Sequence, residues 1–468
     1  MTVDYDVVII GGSLTGRYAA ILATQLHAKV ALVEPTAQKI FPHLLTPHAL
    51  AYLGKCQQSA MSWEITANKK DTVEWADILQ QVKGVVADVE EQYSPAVLAA
   101  LGVDMISGDG QFVRSPALTF SVNRRQLKSR SYLLATGSRP LIPNIEGLQA
   151  TGYYTTADIL SVLNANPPTR WAIIGGDPSG IQMAQILTRF GLDVTLIVKH
   201  SHILPREDPA IVQLIQAALE AEGVRILTET PVTQIKQIQG TKWVQAGNYA
   251  IETDEILLCA GQQPDLAHLN LEAVGVRSHR HRLVLNAKLQ TTQPRIYACG
   301  EAIGGYPLTN IAHYEAAVAL KNALAVSRDR VDYGSIPWAV FCDPQLARVG
   351  LTETQARHLF GDIVVLRQYF KSIAAAQIEM ATTGVCQVVL LLNGEILGAT
   401  IVGAYAAELI HVFSLAIAQR IKINKLAQLA PIYPSFSEIF AQIAALTYQT
   451  HLNRGSIWDK ILTTFRRW

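Results

Sequence analysis

Short, unbroken apolar runs recur along the chain, and the most informative of them run into glycine-rich turns. The first, Tyr5-Asp-Val-Val-Ile-Ile10, has the length and β-branched content of a buried strand. It meets Gly11-Gly12-Ser13-Leu14-Thr15-Gly16, followed by a stretch of small residues suited to a helix. A second apolar run, Val30-Ala-Leu-Val33, ends at Glu34. This order predicts a βαβ unit with the fingerprint of a dinucleotide site. Gly11 permits a tight turn, Gly16 permits close helix–strand packing, and the helix N-terminus offers amides to a pyrophosphate. Ser13 holds the middle glycine position with a small neutral side chain, and Glu34 stands where an acid can accept hydrogen bonds from a ribose diol.

The same pattern returns further on. Trp171-Ala-Ile-Ile174 leads into Gly175-Gly176-Asp177-Pro178-Ser179-Gly180 and on to Val194-Thr-Leu-Ile-Val198. Aligning Gly11 with Gly175 also matches Ile9 with Ile173, Ala20 with Ala184, Val30 with Val194 and Leu32 with Leu196. Such a repeat predicts two nucleotide-binding domains. The copies disagree where the ribose is read: Glu34 aligns with Val198, followed by Lys199 and His200. A cation in place of an acid favours NADPH over NADH, the alternative being that Lys199 is a solvated residue at a strand end. Asp177 before Pro178 has the arrangement of a helix N-cap, and its carboxylate would then occupy amides that a pyrophosphate needs. Nucleotide binding in the second copy is expected to be weakened if it does so.

Composition narrows the class. Lysine and arginine total 39 against 38 aspartates and glutamates, a net charge of +1, which gives no reason to expect nucleic acid as a partner. Only 16% of residues are charged and 49% are hydrophobic, pointing to large buried interfaces or contact with a membrane surface. The five cysteines, Cys56, Cys259, Cys299, Cys342 and Cys386, are far apart and have no histidine at zinc spacing, so no metal site is expected. They suit reduced thiols in a cytoplasmic protein. Acidic Asp4 and Asp6 stand where an export signal would be basic. Ile396 to Ala418 is long enough to imitate a membrane span, yet Gly398, Gly403, Glu408 and His411 interrupt it, predicting a strand and then a buried helix. At the end of the chain, Ile457, Trp458, Ile461, Leu462, Phe465 and Trp468 would form one apolar helical stripe flanked by Lys460, Arg466 and Arg467. Residues 457–468 therefore suit either a peripheral membrane contact or packing against protein.

With the two units in order, the chain resembles the class I pyridine nucleotide-disulfide oxidoreductases over nearly all its length. Leu134-Ala135-Thr136-Gly137-Ser-Arg-Pro140 resembles the family's turn out of the flavin domain, and Cys259-Ala-Gly261-Gln-Gln-Pro its exit from the second domain. Ile296-Tyr-Ala-Cys-Gly300-Glu301 resembles the segment whose acid binds the FAD ribityl chain, with Glu301 in place of aspartate. Phe341-Cys-Asp-Pro and Val349-Gly-Leu-Thr-Glu-Thr-Gln-Ala356 resemble the opening of the dimerisation domain. The resemblance implies an α/β fold with two Rossmann-like dinucleotide-binding domains and a C-terminal α/β dimerisation domain. The expected division is residues 1–147 and 269–334 for FAD, 148–268 for NAD(P), 335–455 for dimerisation and 456–468 for the tail. FAD, NAD(P)H and a homodimer are implied with it.

The catalytic positions depart from that family. Its paired cysteines would fall in Gln38-Lys-Ile-Phe-Pro-His43-Leu-Leu-Thr-Pro-His48-Ala49, which has none, and its following lysine aligns approximately with His48. Its His-Pro-x-x-x-Glu reads Tyr433-Pro434-Ser435-Phe436-Ser437-Glu438 here, and the acid of its second-domain Gly-x-Glu is Gln182. The expected activity is hydride transfer from NADPH through FAD to a small non-thiol acceptor such as a quinone, a dye or another nicotinamide. His48, Tyr433 and Glu438 are its acceptor-side candidates. The alternative is a flavoprotein without turnover, recruited by its tail to a membrane or complex.

Overall fold

A computed structural model of the chain describes residues 3–35, 41–62, 75–114, 117–163, 166–280, 282–305, 307–325 and 329–448; for residues 41–44 and 58–62 it describes the backbone alone. The chain forms two compact units, one comprising residues 1–199 and 229–331, the other residues 200–228 and 332–468.

In the first unit, strand β1 (Tyr5–Ile10) leads to helix α1 (Leu14–Gln25) and strand β2 (Val30–Glu34). Helices α2 (Phe41–Ser62) and α3 (Trp75–Gln92) follow, then strand β3 (Asp104–Ser107). The parallel sheet runs in the order Ile296–Ala298, Ser129–Leu134, β1, β2, β3. Ile9 faces Leu32 on one side and Leu133 on the other. Both faces of this sheet are covered, which is why β1 reads as a continuous apolar run rather than an alternating one. Val7, Ile9, Leu32 and Leu133 pack with Ala19, Ala20 and Ala23 of α1. Val8, Ile10, Tyr132 and Leu134 pack on the other face with Phe112 and Phe120.

The second apolar–glycine repeat builds a parallel sheet in which Asp193–Ile197 and Glu255–Leu258 flank Arg170–Ile174. Ser138–Pro140 and Gln262–Pro264, the segments leading out of and back into the first sheet, pair antiparallel, with Ser138 opposite Pro264.

The other unit centres on an antiparallel sheet in the order Trp338–Val340, Gln345–Gly350, Ile396–Gly403, Val385–Leu390, Val364–Tyr369. The apolar stretch that imitates a membrane span is the strand Ile396–Gly403 followed by the helix Ala406–Ala418, as its glycines and charges require. Phe413 of this helix is fully buried and meets Phe440 edge-on at 5.4 Å. No helix among the described residues is long and apolar enough to cross a membrane. The tail, residues 457–468, lies outside the described residues.

Candidate functional site

Each glycine of the first turn is close-packed. Gly11 has φ +117°, and a Cβ there would stand 2.3 Å from Ala135 O. A Cβ on Gly16 would be 1.9 Å from Gly11 O, and one on Gly12 would be 2.6 Å from the Glu34 side chain. The turn can thus form only without side chains at these positions. Ser13 at the middle position has a definite task as N-cap of α1. The Gly16 N–H donates to Ser13 Oγ (3.2 Å), and the same hydroxyl donates to Ala135 O (2.9 Å), tying the helix to the neighbouring strand.

This turn opens onto a solvent-accessible cleft. Its walls come from three segments that are distant in sequence: Ser13–Thr15, Ala135–Ser138 and Cys299–Glu301, with Leu308, Thr309 and Ala312 closing one side. Gly137 takes φ +73° and Gly300 φ +67°, turning the chain sharply at each strand end. The Gly300 N–H donates to the buried carboxylate of Glu315 (2.7 Å), which fixes that turn. Ser138 Oγ donates to Glu301, so the acid expected at a ribityl chain is held at the cleft wall. Thr136 Oγ1 is buried in the same wall without a hydrogen-bond partner. A glycine cradle, an orphaned hydroxyl and a carboxylate at the wall fit FAD, a dinucleotide with many acceptors and a polyhydroxyl chain.

Glu34 lies across Gly12 rather than open to solvent. Arg17 Nη2 stands 2.9 Å from Glu34 Oε1, and both side chains are largely buried. Burial pushes the Glu34 carboxyl above its ordinary range, and Arg17 opposes that shift. Arg17 is absent from the sequence-derived site, because no dinucleotide pattern specifies the residue after the last glycine.

The second turn repeats the first at the level of single hydrogen bonds. The Gly175 N–H donates to Ile197 O (3.0 Å) as the Gly11 N–H does to Val33 O (2.9 Å). A Cβ on Gly175, at φ +126°, would be 2.0 Å from Cys259 O, and one on Gly180 would be 2.1 Å from Gly175 O. Gly176 is buried beside them, while Lys199 and His200 are exposed beyond Asp193–Ile197. Asp177 occupies the N-cap position before Pro178, yet its side chain makes no capping hydrogen bond, which corrects the expectation that it occupies the helix amides. The carboxylate is exposed instead. One of its oxygens lies 3.9 Å from where a Cβ on Gly261 would stand, on the returning segment, whose Gly261 has φ +105°.

His48 lies within α2, and its Nδ1 is 3.2 Å from Gln182 Nε2 of the helix Pro178–Arg189. Two positions that depart from the family pattern in different parts of the sequence are thus partners in space. His48 is exposed at its surface, and desolvation by the protein around the ring lowers its pKa, which favours the neutral form; with the proton on Nε2, Gln182 donates to Nδ1. In the other unit, Tyr433 is 75% exposed, and Glu438 accepts from the Ser435 N–H (3.1 Å) at the start of the helix Glu438–Ala445. The side chain of His43 lies outside the described residues.

Residues 5–316 match the sequence profile of the pyridine nucleotide-disulphide oxidoreductases, and residues 336–444 match their dimerisation domain. A mercuric reductase of Staphylococcus aureus is 28% identical over 97% of this chain and 84% of its own. A dihydrolipoyl dehydrogenase of Chlamydia pneumoniae is 26% identical over 95% of this chain and 97% of its own. The HOCl-induced flavoprotein disulfide reductase RclA of Escherichia coli, at 24% identity, shares the fold with a TM-score of 0.84 over 95% of this chain and all of its own. Two glycine turns of one design, the cleft beside the first, and a matched dimerisation domain place the chain in the pyridine nucleotide-disulphide oxidoreductase family, whose members are FAD-dependent and use NAD(P)H.

Proposed function

We propose that this protein is a homodimeric flavin oxidoreductase that passes hydride from NAD(P)H, with NADPH preferred, to a non-thiol acceptor such as a quinone, a dye or a nicotinamide. The position of its sulfur carries this reading. Cys56 is the one cysteine of α2 and is exposed, and Cys259, Cys299, Cys342 and Cys386 are buried at positions far from it in sequence. Burial pushes the Cys259 thiol up to about 12 and raises Cys299 and Cys386 as well, so none of these three offers a thiolate. A dithiol relay needs two sulfurs within bonding reach and one of them ionised.

Bound FAD supplies the two-electron chemistry, and the chain's residues bind, orient and move protons around it. The Ser13–Thr15 and Ala135–Ser138 walls would hold the dinucleotide, with Glu34 and Glu301 as acceptors for its hydroxyls. Gly175, Gly176 and Gly180 would seat the nicotinamide cofactor, with Lys199 and His200 as phosphate readers. His48, kept neutral, would present Nε2–H to an acceptor oxygen. In a homodimer the Tyr433 hydroxyl would donate a hydrogen bond from the partner, with Glu438 as the acid of its motif.

Anaerobic mixing of the purified protein with NADPH and, separately, NADH tests the donor side. Fast bleaching of the flavin band with NADPH, reversed in preference by Lys199→Glu, supports the reading. Retention of NADPH preference in that variant removes Lys199 from it. A second reading, FAD binding without turnover and recruitment through the tail, is favoured by the exposed Asp177 carboxylate at the head of the second nucleotide helix. It predicts no bleaching with either nucleotide, and bleaching gained on Asp177→Gly.

A further inference from the structure

We infer that Arg17 is a positioning residue for the adenosine end of the cofactor, holding Glu34 across the glycine turn and supplying the countercharge that this buried acid needs. The inference rests on reading Glu34 as the acceptor for ribose hydroxyls. Arginine is rarely buried, and an unpaired guanidinium in the interior would cost several kcal/mol. Here the side chain is only 10% exposed; it hydrogen-bonds two carbonyls and stands at ion-pair distance from a carboxylate on a third segment. Nε donates to Gly12 O in the turn (3.1 Å), Nη1 to Tyr93 O just past the end of α3 (2.6 Å), and Nη2 reaches Glu34 at the end of β2 (2.9 Å). The guanidinium therefore fixes the distance between the turn that cradles a pyrophosphate and the acid that reads a ribose.

The electrostatics follow from the same contacts. Glu34 is shielded from water by the turn beneath it and by Arg17. Its register partner on β3 is Ser107, and among the described residues Arg17 is the charged group that acts on Glu34. A carboxylate can accept from both hydroxyls of a ribose diol, whereas a protonated carboxyl must donate from one oxygen. Without the cation, burial would favour the protonated form, and the loss would grow as the pH falls.

The test is the dissociation constant for FAD, read by quenching of flavin fluorescence on titration into the apoprotein from pH 5.5 to 8.5. Wild type and Arg17→Lys should give nearly flat profiles. Arg17→Gln, which keeps amide donors for the two carbonyls, should bind FAD about tenfold more weakly at the acidic end and recover as the pH rises. Arg17→Met should do the same, and Arg17→Gln carries the test if Arg17→Met fails to fold. In a Glu34→Gln background the pH dependence should vanish. Flat profiles for the neutral variants, or unchanged affinity, would overturn the inference and leave Arg17 a structural staple. Unchanged affinity in Glu34→Gln alone would instead overturn the ribose reading of Glu34.

Discussion

A methyl group at position 12 would meet the Glu34 side chain at 2.6 Å, whereas one at position 84, inside α3, would meet nothing within 4 Å. The same substitution therefore has opposite expected outcomes at the two sites. Gly84→Ala should raise the unfolding free energy by about 0.5–1 kcal/mol in urea titrations, because alanine restricts the unfolded chain and favours helix. Gly12→Ala should push Glu34 off the turn and weaken FAD retention about tenfold, measured after dialysis against apoprotein conditions, since overpacking costs about 1–3 kcal/mol. The role of Gly12 was not legible in the fingerprint, which leaves that position unspecified; only the fold brings it against Glu34. That of Ser13 was legible only as tolerance, since a sequence does not show that a hydroxyl can cap a helix and hold the adjacent strand at once. Asp177 shows the converse. Its residue type and the following proline specify a cap, but the carboxylate turns outward instead.

At the scale of elements, the segment leading into the helix Pro209–Ala221 is bound to its sheet by charge. Arg348 donates to Glu207 through Nε (2.8 Å) and Nη2 (3.2 Å), and Asp208 accepts from the Glu353 N–H (2.9 Å) and the Thr354 hydroxyl (2.8 Å). Burial pushes the Glu207 carboxyl from 4.5 to about 7, against the pull of Arg348. The folded state thus holds this proton more tightly than the unfolded state, so the group favours folding at low pH, and that contribution is lost as the pH rises from about 4.5 to about 7. In Glu207→Gln this component should be absent: the difference in urea midpoint between wild type and variant should change over that window and be constant outside it. Patterning revealed the strand Ile396–Gly403 and the helix Ala406–Ala418, because their glycines and charges are local signals. It did not reveal the Glu207–Arg348 pair, because the partners are far apart in sequence and each alone reads as a surface charge.

Across the whole molecule, the expected assembly is two copies, since residues 336–444 match a dimerisation domain and Ile432 and Tyr433 are 79% and 75% exposed in the single chain. Ile432→Glu should lower the mass measured by sedimentation from two chains to one, with FAD retained by the first unit; an unchanged dimer would place the interface elsewhere. The nucleotide turns were legible across the whole molecule because repetition makes a pattern visible twice. The His48–Gln182 contact was not, although both positions stand out as departures, because only folding brings α2 against the second nucleotide helix. The pairing of Ser138–Pro140 with Gln262–Pro264 has a different kind of consequence. The chain leaves the first sheet and rejoins it through two paired strands, so the insertion begins and ends at one seam even though residues 200–228 within it belong to the other unit. An insertion whose ends meet in this way adds little loop-closure entropy to the sheet that carries it, and lengthening it further would cost that sheet little more.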